Sequence, residues 1–480
     1  MPALAATGPR PPRTARKTGR PWSRWLPWSR WSRARGSGGD GEGRLAAIDG
    51  LRLLAAIAVA AYHFVGTPTR DFWGTGSDHA LPAVAPTLHP VSGYGWLGVE
   101  AFFLISGFVI CMSCWDRSPA QFAVSRISRL FPVYWAVVLI IVAVGVAATL
   151  AGQRWGAPTD LRTTLGNLTM IPSALGVPFT AGVAWTLWVE ARFYLLMGGL
   201  LLIGLTYRRV IAFGFLWLTL AALGHELDSA VLDAVLLGEY AGLFVAGIAV
   251  YLMYRYGPNL VLWLLLGFAW CYALTALNDR VVAHPGTSWA VSAAVLTGCL
   301  GLLLLAGPGP LRRLRWRPLV YAGALTYPFY LVHQSLGVPV TRGILENVPG
   351  IGLLASIAVG LTLCMLLAAA LERFVDRKLG RVFRRRLTAA LHADEPRRES
   401  RELSVTGRES GAPWSGAGPT WWERERPEAA SPDPAAGEPG YGSGQPCSTS
   451  RGRAKSVLST IASIPGSGST SAKYSRSATR

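Results

Sequence analysis

Apolar segments of about 15 to 23 residues recur through the middle of the chain and are separated by short polar stretches. A helix needs about 20 residues to cross the roughly 30 Å hydrocarbon core of a bilayer. The pattern therefore predicts an all-α membrane protein, a bundle of about ten transmembrane helices. We place these helices near residues 45–65, 95–113, 130–150, 184–205, 209–224, 233–254, 259–277, 288–306, 318–340 and 351–372. The fifth is the shortest, and a re-entrant segment is its alternative.

Polar tails flank the apolar region. Residues 1–43 are rich in Pro, Arg, Gly and Ser and lack the apolar centre of a signal peptide, so they are predicted to be a disordered, basic N-terminal tail. Residues 44–375 form the predicted membrane domain. Residues 376–480 are predicted to be a basic juxtamembrane segment followed by a disordered C-terminal tail, because apolar periodicity stops after Arg386.

The composition agrees with a membrane protein, since 51% of the residues are hydrophobic and 15% are charged. The net charge of +19 lies in the tails and in short loops beside apolar spans, which is typical of membrane-surface charge, and no nucleic-acid partner is expected. Arg is more frequent in one alternate set of loops than in the other. This bias predicts a multi-pass protein of a bacterial cell membrane with both termini in the cytoplasm.

The six Cys residues form no pattern of a disulfide framework. Cys111 and Cys114 are a single CxxC without the second pair expected of a structural zinc site. No metal site is therefore predicted.

Ionisable residues inside apolar spans cost several kcal/mol, so each is a candidate functional group. In the first predicted helix, Arg52 and His63 are eleven residues apart, which puts them on one face with roughly 16 Å between them along the axis. The alternative is that Arg52 pairs with Asp49 at the interface and that His63 is an ordinary helix-end histidine. Glu190 in the fourth helix and His333 in the ninth share a similar predicted depth with His63.

Two further groups of residues complete the candidate site. Arg52, Arg126 and Arg129 gather at the predicted cytoplasmic end, where guanidinium groups suit phosphate oxygens, although topology alone is an alternative reason for the last two. Ser106, in a glycine-containing second helix, and Tyr330, one turn before His333, are candidate substrate-binding residues.

Five sequence blocks are similar, in this order, to the signature blocks of acyltransferase family 3, the integral-membrane O-acyltransferases of bacterial polysaccharides, glycans and antibiotics. The blocks are IDGLRLLAAIAVAAYHF, GWLGVEAFFLISGFVI, RISRLFPVYW, WTLWVEARFY and YPFYLVHQ, and the resemblance covers residues 44–375. It implies that acyl-CoA, with acetyl-CoA as the first choice, is used from the cytoplasm as co-substrate without a bound cofactor. It also implies a hydroxyl acceptor, often a sugar of a glycan.

The resemblance assigns functional residues one by one. The arginine and histidine of the family's first helix correspond to Arg52 and His63, its arginine pair to Arg126 and Arg129, its carboxylate to Glu190, and its late histidine to His333. The chain departs from the usual residues at Leu53, Trp188, Ala191 and Arg192, which bears on the fit of the acceptor and the acyl chain.

These residues suggest a mechanism in which His63 is the general base on the acceptor hydroxyl and Glu190 or His333 orients it. A covalent acyl-histidine intermediate is the close alternative. A transporter or flippase that uses buried His, Glu and Arg for proton coupling is the alternative of a different class. A membrane scaffold leaves the intramembrane charges unexplained.

Overall fold

The fold was established from a computed structural model, which describes residues 45–67, 72–73, 81–152, 157, 159–227, 229–314 and 316–393. The predicted tails, residues 1–43 and the chain beyond residue 393, lie outside the described residues. Throughout the described ranges the regular elements are helices, with no strand. The all-α prediction is therefore confirmed.

Ten long helices correspond one to one with the ten predicted spans. They are α1 (Ala46–Ala61), α2 (Leu97–Cys114), α3 (Pro119–Leu150), α4 (Trp185–Leu202), α5 (Tyr207–Glu226), α6 (Ala241–Tyr256), α7 (Leu260–Val282), α8 (Trp289–Ala306), α9 (Arg317–Val332) and α10 (Leu353–Ala370). Among the described residues, eight helical segments are long and apolar enough to cross a membrane, and these contain all of the ten except α4 and α9. The fifth helix is one of the eight, as a continuous helix.

Short helices lie between the long ones, at Leu81–Val84, Leu88–Ser92, Leu161–Leu168, Ala230–Leu236 and Gly337–Asn347. A further helix, Arg381–Ala393, follows the last long one. The chain is divided into two units at residue 381, and of the second unit only residues 382–393 are described. These residues are helical and rich in arginine.

Several predicted helix boundaries are wrong by more than a turn, and two of them have a clear local cause. Helix α3 begins at Pro119 rather than near residue 130, because Ser118 and Gln121 form a capping box and proline suits the first helical position. Arg126 and Arg129 therefore lie on a helix and not in a loop. Helix α9 ends at Val332 rather than near residue 340, since Pro339 lacks an amide proton and its ring would clash with the carbonyl of Ser335 in a continuous helix.

Helices α2 and α6 cross at two glycines. A Cβ atom on Gly107 would lie 2.1 Å from the carbonyl oxygen of Phe244, and one on Gly247 would lie 2.1 Å from that of Leu104. No real Cβ atom approaches an oxygen so closely, so any larger residue would force the helices apart. Small residues of this kind let membrane helices pack backbone to backbone. The crossing fixes α2, which carries Ser106 of the candidate site.

A buried ion pair joins α2 to α7. Glu100 Oε1 lies 3.0 Å from Arg280 Nε, and the two residues are 2% and 8% exposed. Arg280 also donates to the backbone carbonyl of Glu239 and lies over the ring of Tyr240. Breaking a buried ion pair is costly because the remaining charge stays desolvated.

We expect Glu100→Gln to destabilise the protein by about 3–5 kcal/mol, because Arg280 then stays charged and buried without its partner. The matched control is Asp116→Asn, which breaks the ion pair of Arg255 with a side chain that is 74% exposed. That change should cost less than about 1 kcal/mol. Thermal unfolding of both purified variants in one detergent measures the difference. Equal shifts in melting temperature would contradict the expectation.

Candidate active site

His63 lies in a π-helical turn, Tyr62–Gly66, that continues α1. The last carbonyl groups of a helix have no partner within it, and here side chains supply the donors. Trp73 Nε1 donates to the carbonyl of Phe64 at 3.0 Å, His89 Nδ1 bonds that of Val65 at 2.6 Å, and Thr67 Oγ1 bonds that of His63 at 3.2 Å. Turns of this type are frequent at functional sites. These bonds hold the backbone of His63 in one place.

His63 and His333 are hydrogen-bonded to each other. His63 Nδ1 lies 3.0 Å from His333 Nε2, and His333 Nδ1 lies 2.7 Å from the carbonyl oxygen of Tyr330. A carbonyl oxygen only accepts, so His333 Nδ1 carries a proton, and in the neutral ring His333 Nε2 is then the acceptor. It follows that His63 Nδ1 carries a proton and that His63 Nε2 has a free lone pair. The geometry thus gives neutral His63 one defined tautomer.

Glu190 does not take part in this pair. Its Oε1 accepts a hydrogen bond of 2.8 Å from Ser106 Oγ. Both residues line a cavity of about 60 Å³ between α1, α2, α4 and α9. The polar residues of its lining are Arg52, Ser106, Thr186, Glu190, Thr326, Tyr327 and Tyr330. Neither histidine lines this cavity, but Tyr330 does, and its backbone carbonyl accepts a hydrogen bond from His333.

A second cavity, of about 180 Å³, adjoins the first. Arg52 and Tyr327 line both, and Arg129, Asp49 and Asp376 also line the second. Together the two cavities extend from Arg52 and Arg129 to Tyr330, the residue whose carbonyl binds His333. Two guanidinium groups in one cavity can bind the phosphates of a nucleotide-like ligand.

Arg126 takes a different position from Arg52 and Arg129. Its guanidinium lies over the rings of Phe122 and Tyr194, 5.7 and 5.9 Å from their centroids. It therefore packs on aromatic faces beside the cavities rather than in their lining.

The structure thus divides the predicted site into three groups. His63 pairs with His333; Glu190, Ser106, Tyr330 and Arg52 share the smaller cavity; and Arg52 and Arg129 share the larger one. Of the two residues expected to orient His63, His333 is hydrogen-bonded to it, whereas Glu190 is hydrogen-bonded to Ser106. The functional roles of all these residues stay predictions. Throughout the part of the chain described here, no group of three or more His, Cys, Asp or Glu side chains could hold a metal ion.

Five polar cavity residues were not among the predicted site residues: Thr186, Thr326, Tyr327, Asp49 and Asp376. A signal existed for the first three, because Thr186 is one helical turn from Glu190, and Thr326 and Tyr327 are one turn from Tyr330. Asp376 lies beyond the predicted end of the last helix, in the π-helical segment Leu371–Gly380, and nothing in its spacing pointed to the site.

Comparison with known proteins gives the decisive observation. The profile of acyltransferase family 3, described as an acyltransferase domain, matches residues 45–369. The chain belongs to this family. The match includes His63, Glu190 and His333 together with both cavities except Asp376.

Two curated proteins are similar to this member of acyltransferase family 3. The exopolysaccharide production protein ExoZ of Rhizobium meliloti is 30% identical over 315 residues, which are 62% of this chain and 93% of that protein. The peptidoglycan O-acetyltransferase OatA of Listeria monocytogenes is 27% identical over 176 residues, 33% of this chain and 24% of that protein. No solved structure matches the chain. The protein is a multi-pass membrane O-acyltransferase.

Proposed function

We propose that the protein transfers an acyl group from cytoplasmic acyl-CoA, in the simplest case acetyl-CoA, to a hydroxyl of a glycan, polysaccharide or glycosylated metabolite. The observation that carries the proposal is the hydrogen bond between His63 Nδ1 and His333 Nε2. With His333 Nδ1 bonded to a carbonyl, this bond leaves the lone pair of His63 Nε2 available to a hydroxyl proton. His63 is the general base in this proposal.

The donor enters at the arginine cavity. The phosphates of CoA bind Arg52 and Arg129, and the pantetheine arm extends past Tyr327 into the smaller cavity. Membrane orientation follows the arginine bias of the loops, so this cavity opens to the cytoplasm, the termini lie there, and the histidine pair lies toward the opposite side. The two substrates then reach the site from opposite faces of the membrane.

The proposed reaction moves the acyl group from the sulfur of CoA to the oxygen of the acceptor hydroxyl. His63 Nε2 accepts the proton of the acceptor hydroxyl while the hydroxyl oxygen forms a bond to the thioester carbonyl carbon. The bond from carbon to sulfur then breaks, and the CoA thiolate takes the proton from the His63 imidazolium. His333 accepts the hydrogen bond of His63 Nδ1 in each state, which stabilises the charged ring.

The names of the relatives suggest the class of acceptor. One is an exopolysaccharide production protein and the other a peptidoglycan O-acetyltransferase. A sugar hydroxyl is common to both contexts, and we propose a sugar acceptor for this chain.

Proteoliposomes that contain the purified protein test the proposal. Labelled acetyl-CoA is supplied at one face and a panel of soluble and lipid-linked saccharides at the other, and CoA release and labelled ester are measured. We expect CoA release that depends on both protein and acceptor. Movement of saccharide across the membrane without consumption of acetyl-CoA would instead identify a transporter.

We expect Arg129→Gln to raise the KM for acetyl-CoA by roughly 10- to 100-fold with little change in kcat, because a hydrogen bond to a charged group contributes about 1.5–3 kcal/mol. Acetyl-pantetheine, which lacks the CoA phosphates, should be used equally well by the variant and the wild type. Arg117→Gln is the matched control, since Arg117 is exposed and bonds Ser125. An unchanged preference for acetyl-CoA over acetyl-pantetheine in Arg129→Gln would exclude Arg129 as a phosphate ligand.

A further inference from the structure

Two hydroxyl groups meet across the smaller cavity. Thr186 Oγ1 on α4 lies 3.1 Å from Tyr330 Oη on α9, and each residue is 7% exposed. Both line the cavity that also contains Glu190 and Arg52. The proposed function gives neither hydroxyl a role in the chemical step.

The directions of the hydrogen bonds follow from the available acceptors. Thr186 Oγ1 donates to the carbonyl oxygen of Val183 at 2.9 Å, which uses its one proton. Between the two hydroxyls the donor is therefore Tyr330. The distance from Tyr330 Oη to the same carbonyl is 3.5 Å, at the long limit for a hydrogen bond. The Tyr330 hydroxyl thus donates its hydrogen bond mainly to the hydroxyl of Thr186.

The other hydroxyls of the cavity have stronger or fixed acceptors. Ser106 donates to the Glu190 carboxylate at 2.8 Å. Tyr327 donates to the carbonyl of Leu130 at 2.9 Å, and Thr326 donates to that of Ala322 at 3.3 Å. Of the five hydroxyls that line this cavity in the described structure, Tyr330 alone donates to a neutral hydroxyl, which is the weakest acceptor among these partners. Among these five hydroxyls, that of Tyr330 can therefore most readily donate its hydrogen bond to a bound ligand instead.

Tyr330 is also tied to the candidate base. Its backbone carbonyl accepts the hydrogen bond from His333 Nδ1, and His333 bonds His63. One residue therefore fixes the tautomer of the histidine pair with its backbone and presents a donor to the cavity with its side chain. The Tyr330 ring lies 5.6 Å from the ring of His333, which bonds His63, so this donor is close to the pair that activates the nucleophile in the proposed function.

We infer that Tyr330 Oη donates a hydrogen bond to the thioester carbonyl oxygen as negative charge develops on it, and that Thr186 holds the tyrosine hydroxyl in position; this rests on the proposed function. As the acceptor oxygen bonds to the carbonyl carbon, the carbonyl π electrons move to the oxygen, which Tyr330 stabilises. When the tetrahedral intermediate collapses, the carbonyl re-forms and the CoA thiolate leaves with the proton held by His63. Tyr330 keeps its own proton throughout. A preorganised donor acts on charge that exists only in the transition state, so its effect falls on kcat.

Tyr330→Phe tests the inference because it removes one oxygen atom and leaves the backbone carbonyl that binds His333. We expect kcat to fall by about 10²–10³-fold, with the KM for acetyl-CoA and the pH profile of kcat unchanged. Tyr134→Phe is the matched control; Tyr134 is fully buried, and its hydroxyl lies 3.5 Å from Asn167 outside the cavity lining. A wild-type kcat in Tyr330→Phe, or a change confined to KM, would overturn the inference.

Thr186→Val and Thr186→Ser give a second measurement that does not depend on the folding of the tyrosine variant. Valine removes the acceptor for Tyr330 Oη at nearly constant volume, and we expect the kcat of Thr186→Val to fall about 10-fold or more. Serine keeps the hydroxyl, so the kcat of Thr186→Ser should stay close to the wild-type value. Equal kcat values for the two variants would also overturn the inference. Failure of the proposed function gives a different result. Full acetyl transfer by His63→Ala would show that His63 is not the general base. If His63→Ala is inactive while Tyr330→Phe has the wild-type kcat, only the donor role of Tyr330 is disproved.

Discussion

Acetyl transfer by His63→Ala falls by about 10²–10⁴-fold relative to the wild type, with the KM for acetyl-CoA nearly unchanged, if His63 is the general base. In the proposed function the donor phosphates bind at Arg52 and Arg129, which line a cavity whose lining includes neither histidine, so donor binding should not need the imidazole. Steady-state rates of CoA release and ester formation in proteoliposomes give both constants. Transfer at the wild-type rate by a folded variant would exclude the assignment.

Chemical rescue makes this test more specific. Free imidazole added to His63→Ala should restore part of the acetyl transfer, and only at pH values at which imidazole is neutral, because the protonated ring has no lone pair to offer. A folded variant that is inactive but not rescued would favour a covalent role for His63. Labelled acetyl-CoA supplied without acceptor separates the two mechanisms, since an acyl-histidine would leave label on the wild-type protein and none on the variant.

His333→Leu should lower kcat by roughly 10²-fold or more, because His63 loses the acceptor that fixes its tautomer. His333 is fully buried and accepts from His63 Nδ1 at 3.0 Å. In the variant the proton of neutral His63 is free to move to Nε2, where the lone pair is required. Activity assays at saturating acetyl-CoA measure the loss.

His333→Gln is the matched variant for this prediction. The amide oxygen of glutamine can occupy the position of His333 Nε2 and accept from His63 Nδ1, so we expect this variant to retain clearly more activity than His333→Leu. Equal losses in the two variants, with equal thermal stability, would show that His333 acts through packing alone. Glu190→Gln provides an independent comparison, since Glu190 bonds Ser106 and not the histidine pair.

Candidate site residues are easier to predict from the sequence than their hydrogen-bond partners are. His63, Glu190 and His333 are recognisable because ionisable groups interrupt apolar runs where burial is costly. Spacing along a regular helix cannot predict the π-helical turn that contains His63, nor can it show that His63 pairs with a residue 270 positions away while Glu190 bonds Ser106. Those outcomes depend on how four helices pack, which one sequence does not specify locally.

The errors in helix boundaries have a different origin. The capping box at Ser118 and Gln121 and the proline at residue 339 are both visible in the sequence, and both act locally. A reading based on hydropathy overlooks them because the start of α3 is amphipathic rather than apolar. Arg129 lines the larger cavity from this helix. Its helical position could therefore have been predicted from the sequence.

The apolar cluster next to His63 bears on how easily protons and ions could pass through the protein. Phe64, Trp73, Leu81, Leu353 and Ile357 are at most 5% exposed and pack together beside the histidine pair. A protein that admits one substrate from each face of a membrane is a potential leak for protons and ions if both entrances are open together. The packed cluster is a dry apolar layer next to His63, and none of these five side chains is ionisable. If acyl transfer proceeds across the bilayer as proposed, we expect this layer to resist the passage of protons and ions and so to preserve the membrane potential.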